Sequence, residues 1–482
     1  MTVVRGYLPQ KGRVAIARQH AASDAWGASA LKAAAREERC SMYPDNVSGS
    51  ARLFERAVEV LPGGNTRHTV FFAPHPIYAL SGRGATVTDV DGITYLDFMN
   101  NASACIHGHC HPDIVTAIAR QAEKLISVCL PTELEVRLAE MLRERVPSME
   151  QLRFCNSGSE AVMFAIKAAR AFTGRPKVAK IEGAYHGAYD FAEASISSRP
   201  DNWGDSSRPA STAYSYGTPA STLADVVVLP FNDIEASAAI LSSASADLAA
   251  VIIDPLVSRM AFTPATPEYL AMVRQFCSTS GTVLIFDEVF SFRMGYHGAQ
   301  GEVNIRPDLT TLGKVIGGGL PIGAFGGRKD IMAVFDQRSG HPRAPHGGTF
   351  NGNPLTMAAG IKALELLTPE AFAELSRLGD RARAGLDDAF HRSGVEGQAR
   401  GYASMISVLL SKKPFSNHRS FLDAAAANKS FAAIHRYLLE HGILVMPSGG
   451  ILLSTPMTDH DIDRLTETFY DALCAHRSMR AA

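Results

Sequence analysis

The sequence has little net charge, few cysteines and no long apolar run, and each shortage removes a class of function. Lysine and arginine (47) nearly balance aspartate and glutamate (48), for a net charge of −1. Such a balance makes no electrostatic case for nucleic acid or an anionic membrane as the main partner. No apolar run approaches the length of a bilayer span, and Met1 is not followed by the apolar stretch of a secretory signal. Seven cysteines scattered over 482 residues make no disulfide framework. The expectation is a cytoplasmic protein. One further absence lies in TTLGKVIGGGLPIGAFGG (310–327). A phosphate-binding P-loop needs glycines before its Gly-Lys pair and Ser or Thr after it. Here Val315 follows Lys314 and the glycines come later, so Lys314 needs another explanation.

What is present is an ordinary globular composition, 46% hydrophobic and 20% charged, long enough for two or three packed units. Residues 1–50 are rich in Ala and Arg and are read as an N-terminal arm; transit peptides and short surface helices share that bias. From about residue 101 to 350, short apolar runs alternate with amphipathic stretches. LRFCN (152–156), KVAKIEG (177–183), VVVLP (226–230), LAAVIID (248–254) and TVLIFDE (282–288) read as strands covered on both faces. Between them, Val162, Ala165, Ile166 and Ala169 recur at helical spacing. This pattern predicts an α/β protein with a mostly parallel, doubly wound sheet. The ends differ: ATVTDVDGITYLDFMN (85–100) is a hairpin turning at Asp91-Gly92, and 351–482 mixes helices with short strands at 404–410 and 450–456. We expect residues 51–100 and 351–482 to form a smaller α+β unit beside the large 101–350 domain.

Two other features need weighing. The polar run 199–222 is too long for an ordinary connection, and such loops are either disordered or lids over a site. CIHGHCHP (105–112) sends three histidines to one side of an extended segment, but structural zinc sites take spaced pairs from different elements. No metal is assigned, and the run reads as the turn before a helix starting near Pro112.

In an open parallel sheet, ligands sit at the carboxyl ends of the strands. Four features fall there. NSGSEA (156–161) opens a helix whose free N–H groups and hydroxyls suit a phosphate or simply a cap. GAYHGAYD (183–190) places Tyr185 beside a flexible turn. Asp287 ends an apolar strand, where a bare carboxylate needs a cation. Lys314 is the fourth. A phosphate seat, a ring stacker, a buried acid and a lysine fit pyridoxal 5′-phosphate. The amine meets the cofactor aldehyde, and the acid keeps the pyridine nitrogen protonated as an electron sink.

These motifs, with PGGNTR (62–67), HGHCHP (107–112) and HGGTFNGNPLTMAAG (346–360), resemble the class III aminotransferases of the fold-type I pyridoxal-phosphate enzymes. The resemblance covers nearly the whole chain after residue 50. It implies that Lys314 is the Schiff-base lysine and Asp287 the partner of the ring nitrogen. It also implies that Tyr185 stacks on the ring, with His186 beside it, and that Ser157, Gly158 and Ser159 hold the phosphate. Thr349 would reach the phosphate of a neighbouring subunit, which implies a homodimer. The nearest branches resembled are the β-amino-acid aminotransferases and glutamate-1-semialdehyde 2,1-aminomutase. PGGNTRHTVFFAPHPIY (62–78), with Arg67 placed to grip a substrate carboxylate, and FDEVFSFR (286–293) favour the former. The implied reaction is ping-pong transfer of an amino group from an amino acid, with β-amino acids among the candidates, to a 2-oxo acid; the alternative is intramolecular transfer of the mutase type. Departures from the pattern are Ser159 for Thr, Asp254 for Glu, an apolar Val257, and Ser448 where some β-amino-acid enzymes carry a second arginine. Arg259 and Arg293 are the candidate replacements.

Overall fold

The computed structural model describes Tyr43, residues 45–338 and residues 340–481; most of the expected arm at 1–50 lies outside them. Seven strands form the central sheet: Gln151–Cys155 (β1), Lys177–Ile181 (β2), Val226–Leu229 (β3), Leu248–Ile253 (β4), Val283–Asp287 (β5), Leu309–Gly313 (β6) and Gly323–Gly327 (β7). Their order is β1-β7-β6-β5-β4-β2-β3. The pairs β6/β5, β5/β4, β4/β2 and β2/β3 are parallel, while β7 runs antiparallel to both its neighbours. Every residue of β4 is buried, as an apolar strand roofed on both faces must be. The helix Gly158–Thr173 covers one face with Val162, Ala165, Ile166 and Ala169, the four residues whose spacing predicted it.

Two of these strands were not anticipated. The segment GAFGG reads as a breaker, yet it is β7, buried throughout. A Cβ at Gly323 would lie 2.0 Å from Ser157 O, and one at Gly327 would lie 2.1 Å from Asp308 O. Glycine is required here for close packing rather than for a turn.

The two chain ends share a second sheet. Ala79–Arg83, Thr86–Asp89 and Thr94–Asp97 run antiparallel, and the last of them pairs in parallel with Ile443–Leu444. The turn of the expected hairpin carries Gly92 at φ 84°. A third sheet joins Gln398–Tyr402, Met405–Leu409 and Gly450–Leu452. The histidine run fastens these parts together. His107 bonds Thr455 Oγ1 and Ala363 O, His109 bonds Asp97, and His111 caps the helix Pro112–Ala122. The 199–222 run is ordered rather than disordered. It holds the paired pieces Gly204–Asp205 and Arg208–Pro209, tied down by Arg419, which donates to Trp203 O, Gly204 O and Asp205 O.

Candidate active site

The carboxyl ends of β1, β2, β4, β5 and β6 converge on a cavity of about 350 Å³. Gly158, Ser159, Tyr185, His186, Asp287 and Lys314 all line it, together with Asp254. Of the other residues singled out from the sequence, Ser157, Thr349 and Arg67 are not in the lining. Register explains part of the convergence. Asp287 pairs with Thr311 across β5 and β6, so Thr311 Oγ1 donates to Asp287 Oδ1 at 2.9 Å.

Asp287 is 5% exposed and accepts three bonds: from Thr311, from Val289 N at 3.1 Å and from His186 Nδ1 at 2.8 Å. Burial raises its pKa, but the His186 bond and charge, the Val289 N–H and nearby Lys314 outweigh that, and the carboxyl sits below its ordinary range. Asp254 is also buried, and its Oδ1 accepts from Leu256 N at 3.1 Å. Burial, then repulsion from Asp287, holds it well above the carboxylate range. Lys314 follows β6 with φ 51°, a left-handed conformation uncommon for a side-chain-bearing residue, and its Nζ lies 5.1 Å from the Phe290 ring centroid. Burial pulls its amine below the usual lysine range, against the opposing pull of Asp287 and Asp254.

The turn carrying Tyr185 and His186 is stapled from below. Lys180, fully buried on β2, donates to Ile181 O (3.3 Å), Ala184 O (3.0 Å) and Ala194 O (2.6 Å). Gly187, at φ 91°, lies so close to Ser159 that a Cβ would sit 2.5 Å from Ser159 Oγ.

Ser157 caps the helix Gly158–Thr173, its Oγ accepting from Glu160 N at 3.1 Å, which is the cap alternative left open above. Thr349 is exposed. Arg67 is exposed too, and its Nη1 donates to Oδ1 of the lining residue Asn101 at 2.7 Å. Arg293 is not a replacement for the missing second arginine. It is 0% exposed and committed to Ser404, Ser103 and Leu453 O. Arg259 is exposed and reaches Ser197 Oγ at 3.4 Å. Asn101, Asn156 and Phe290 also line the cavity and were not assigned to it from sequence. Asn101 carried a faint signal, a polar residue just beyond the hairpin strand, but its partner lies 34 positions away.

The residues fit pyridoxal phosphate on grounds internal to this structure. The first turn of a 16-residue helix faces the cavity through Gly158 and Ser159. An acid kept ionised stands beside a depressed lysine, a half-exposed tyrosine ring lies in the wall, and His186 Nε2 is buried with no hydrogen-bond partner among the described residues.

Comparisons with known proteins agree. Residues 72–473 match the family model for Aminotransferase class-III. The chain is similar to an omega-transaminase from Sphaerobacter thermophilus, with TM-score 0.88 and 47% identity, covering 91% of this chain and 100% of that one. It is 37% identical to the beta-phenylalanine transaminase of Variovorax paradoxus, over 91% of this chain and 95% of that one. It is 38% identical to a glutamate-1-semialdehyde 2,1-aminomutase of Sorangium cellulosum, over 89% and 97% of the two chains. Fold and relatives define a pyridoxal-phosphate-dependent transferase of fold type I. The chain belongs to the class III aminotransferases.

Proposed function

We propose that this aminotransferase takes a β-amino acid as amine donor, with Lys314 as the reacting amine. The observation that carries the donor class is the distribution of charge around the cavity. Among the described lining residues, Lys314 is the one lysine or arginine, and its neighbours are Asp254, Asp287, Val289 and Phe290. An α-amino acid would set its carboxylate one bond from the reacting carbon, beside those acids and apolar groups. A β-amino acid carries it one carbon farther out, toward the rim where Arg67 is bonded to Asn101. The relatives named above include an enzyme for such a donor.

When bound, pyridoxal phosphate supplies an electron sink next to the amine-bearing carbon. The chain's residues do the rest. Lys314 would hold the cofactor through its aldehyde, and its Nζ, whose proton affinity burial lowers, would carry a proton to and from the substrate carbon. Asp287, held ionised by His186, Thr311 and Val289, would keep the ring nitrogen charged. Gly158 and Ser159 would seat the phosphate, Tyr185 would pack on the ring, and Arg67 would anchor the donor's carboxylate.

We further read the active form as a homodimer in the cytoplasm. Phe350, exposed and apolar, follows Thr349 in the chain, and Asn353 donates to the backbone of exposed, apolar Ile126. These exposed apolar side chains suit a second copy, to whose site Thr349 would be delivered. The described cysteines are free, and no helix of the described residues is long and apolar enough to cross a membrane. The division into 51–100 with 351–482 and a large 101–350 domain rests on the sheet shared by the chain ends.

The test is turnover of β-phenylalanine with and without 2-oxoglutarate or pyruvate. Release of the 3-oxo acid with stoichiometric amination of the acceptor supports the reading. Turnover of α-amino acids alone sinks the donor class. Isomerisation of glutamate-1-semialdehyde without an acceptor would assign the mutase reaction instead.

A further inference from the structure

Four consecutive residues at the cavity rim, Asn100, Asn101, Ala102 and Ser103, hold φ angles of 46°, 47°, 51° and 85°. None is glycine, and a run of side-chain-bearing residues in the left-handed region persists only where its surroundings over-determine it. They do so here. Asn100 is fully buried and its Nδ2 donates to Leu452 O at 2.7 Å. Ser103 is fully buried and accepts from Arg293 Nη1 at 3.3 Å. Arg293 also donates to Ser404 Oγ at 2.8 Å and to Leu453 O, and it has no carboxylate partner among the described residues. A guanidinium buried against neutral oxygens alone is a costly way to fill a core, and this turn is one of the three segments it ties together.

The side chain that the turn presents is Asn101, which lines the cavity. Its Oδ1 accepts from Arg67 Nη1 at 2.7 Å. Because a guanidinium can only donate, the amide oxygen must face Arg67, which leaves Nδ2 as a donor at the rim. We infer that Asn101 is a specificity-determining residue for the donor's carboxylate. Its Nδ2 and Arg67 together form a two-donor clamp, and the left-handed turn sets the distance from that clamp to Lys314. This inference rests on the β-amino-acid reading and on the role given there to Arg67, and it adds a residue that discriminates by reach. A carboxylate one carbon closer to the amine does not meet the clamp.

The backbone dictates the test. Asn101→Gly removes the side chain and adopts the left-handed conformation freely. Asn101→Asp keeps the shape and also tolerates that φ, but it sets a negative charge against the carboxylate. The holoenzyme is titrated by calorimetry with 3-phenylpropionate, which has the donor's carboxylate but no amine to react. Asn101→Gly is expected to weaken binding about 10-fold and Asn101→Asp about 100-fold or more, as loss of a charge-assisted bond and addition of repulsion require. The KM for β-phenylalanine should rise in parallel while kcat stays within about threefold. Binding by both variants within about twofold of the unsubstituted enzyme overturns the inference. Arg67→Ala in the same titration separates the two layers. If it weakens 3-phenylpropionate and the Asn101 variants do not, only the role of Asn101 fails. If none of the three substitutions changes binding, or if the unsubstituted holoenzyme does not bind 3-phenylpropionate, the rim-carboxylate reading fails with it.

Discussion

Lys314 stands beside two buried carboxylates of unlike character, and that difference organises the site. Asp287 has three donors and stays ionised; Asp254, with burial and Asp287 against it, is held toward its neutral form. One negative charge therefore faces the lysine, so its amine is not forced to stay protonated. Replacing Lys314 by Ala should leave the fold intact and the cofactor bound without a covalent link. Turnover should fall by roughly 10³-fold or more, with loss of the lysine-linked absorption band in the visible spectrum. Retained turnover in that variant sinks the assignment. Arg67 calls for a gentler forecast because it is exposed. Arg67→Ala should raise KM for a β-amino acid about 10- to 100-fold with kcat little changed; an unaltered KM in steady-state kinetics counts against it. At this scale much was readable beforehand. A lysine before glycines, an acid ending an apolar strand and a tyrosine in a Gly-bounded turn are each adjacent in sequence to the strand that positions them. Arg293 was not readable, since nothing local distinguishes an arginine facing a ligand from one buried against Ser103, Ser404 and Leu453 O.

Elements carry their own chemistry. The helix Gly158–Thr173 begins with Ser157, whose hydroxyl already accepts Glu160 N. If capping is its main task, Ser157→Ala should cost about 1 kcal/mol, visible as a lower Tm, while the cofactor's Kd changes by less than about threefold. Ser159→Ala should do the reverse. A large loss of cofactor affinity in Ser157→Ala, measured by fluorescence titration, would restore Ser157 to the phosphate seat. His107 gives a pH-dependent case. Burial lowers its pKa from 6.5 to about 4, so between those values the unfolded chain takes up a proton that the native protein refuses. Stability therefore rises with pH across that window and is lost as pH falls through it, by on the order of 3 kcal/mol from this group. Urea melts from pH 4 to 7 should show a shallower slope in His107→Asn; an unchanged slope removes His107 from the account. The elements that escaped a reading of the sequence did so for definite reasons. β7 is built of glycines because carbonyls of neighbouring segments crowd it, and propensity treats glycine as a break. Ile443–Leu444 is only two residues long and pairs with a strand near the other end of the chain, so no local period marks it.

For the whole molecule the question is whether one chain holds a complete site. Thr349 is exposed and outside the lining of its own cavity, yet its segment is anchored beside it. Asn351 Oδ1 accepts from Asn156 Nδ2 at 2.9 Å, and Asn156 is a lining residue. An exposed threonine outside the lining of its own cavity, in a segment anchored at that cavity and followed by exposed Phe350, suits delivery to a second copy. Sedimentation should then give a dimer, and subunit mixing tests the delivery directly. Lys314→Ala chains keep Thr349 but cannot react; Thr349→Ala chains keep Lys314 but lack the donated hydroxyl. In a mixed dimer, one site joins the intact Lys314 of one chain to the intact Thr349 of the other, and the second site has neither. Refolding equal amounts together should place half the dimers in that state. Activity should then rise to about a quarter of the unsubstituted level above the Thr349→Ala background. If Thr349 serves its own chain, every site with a working lysine still lacks the hydroxyl, and mixing restores nothing.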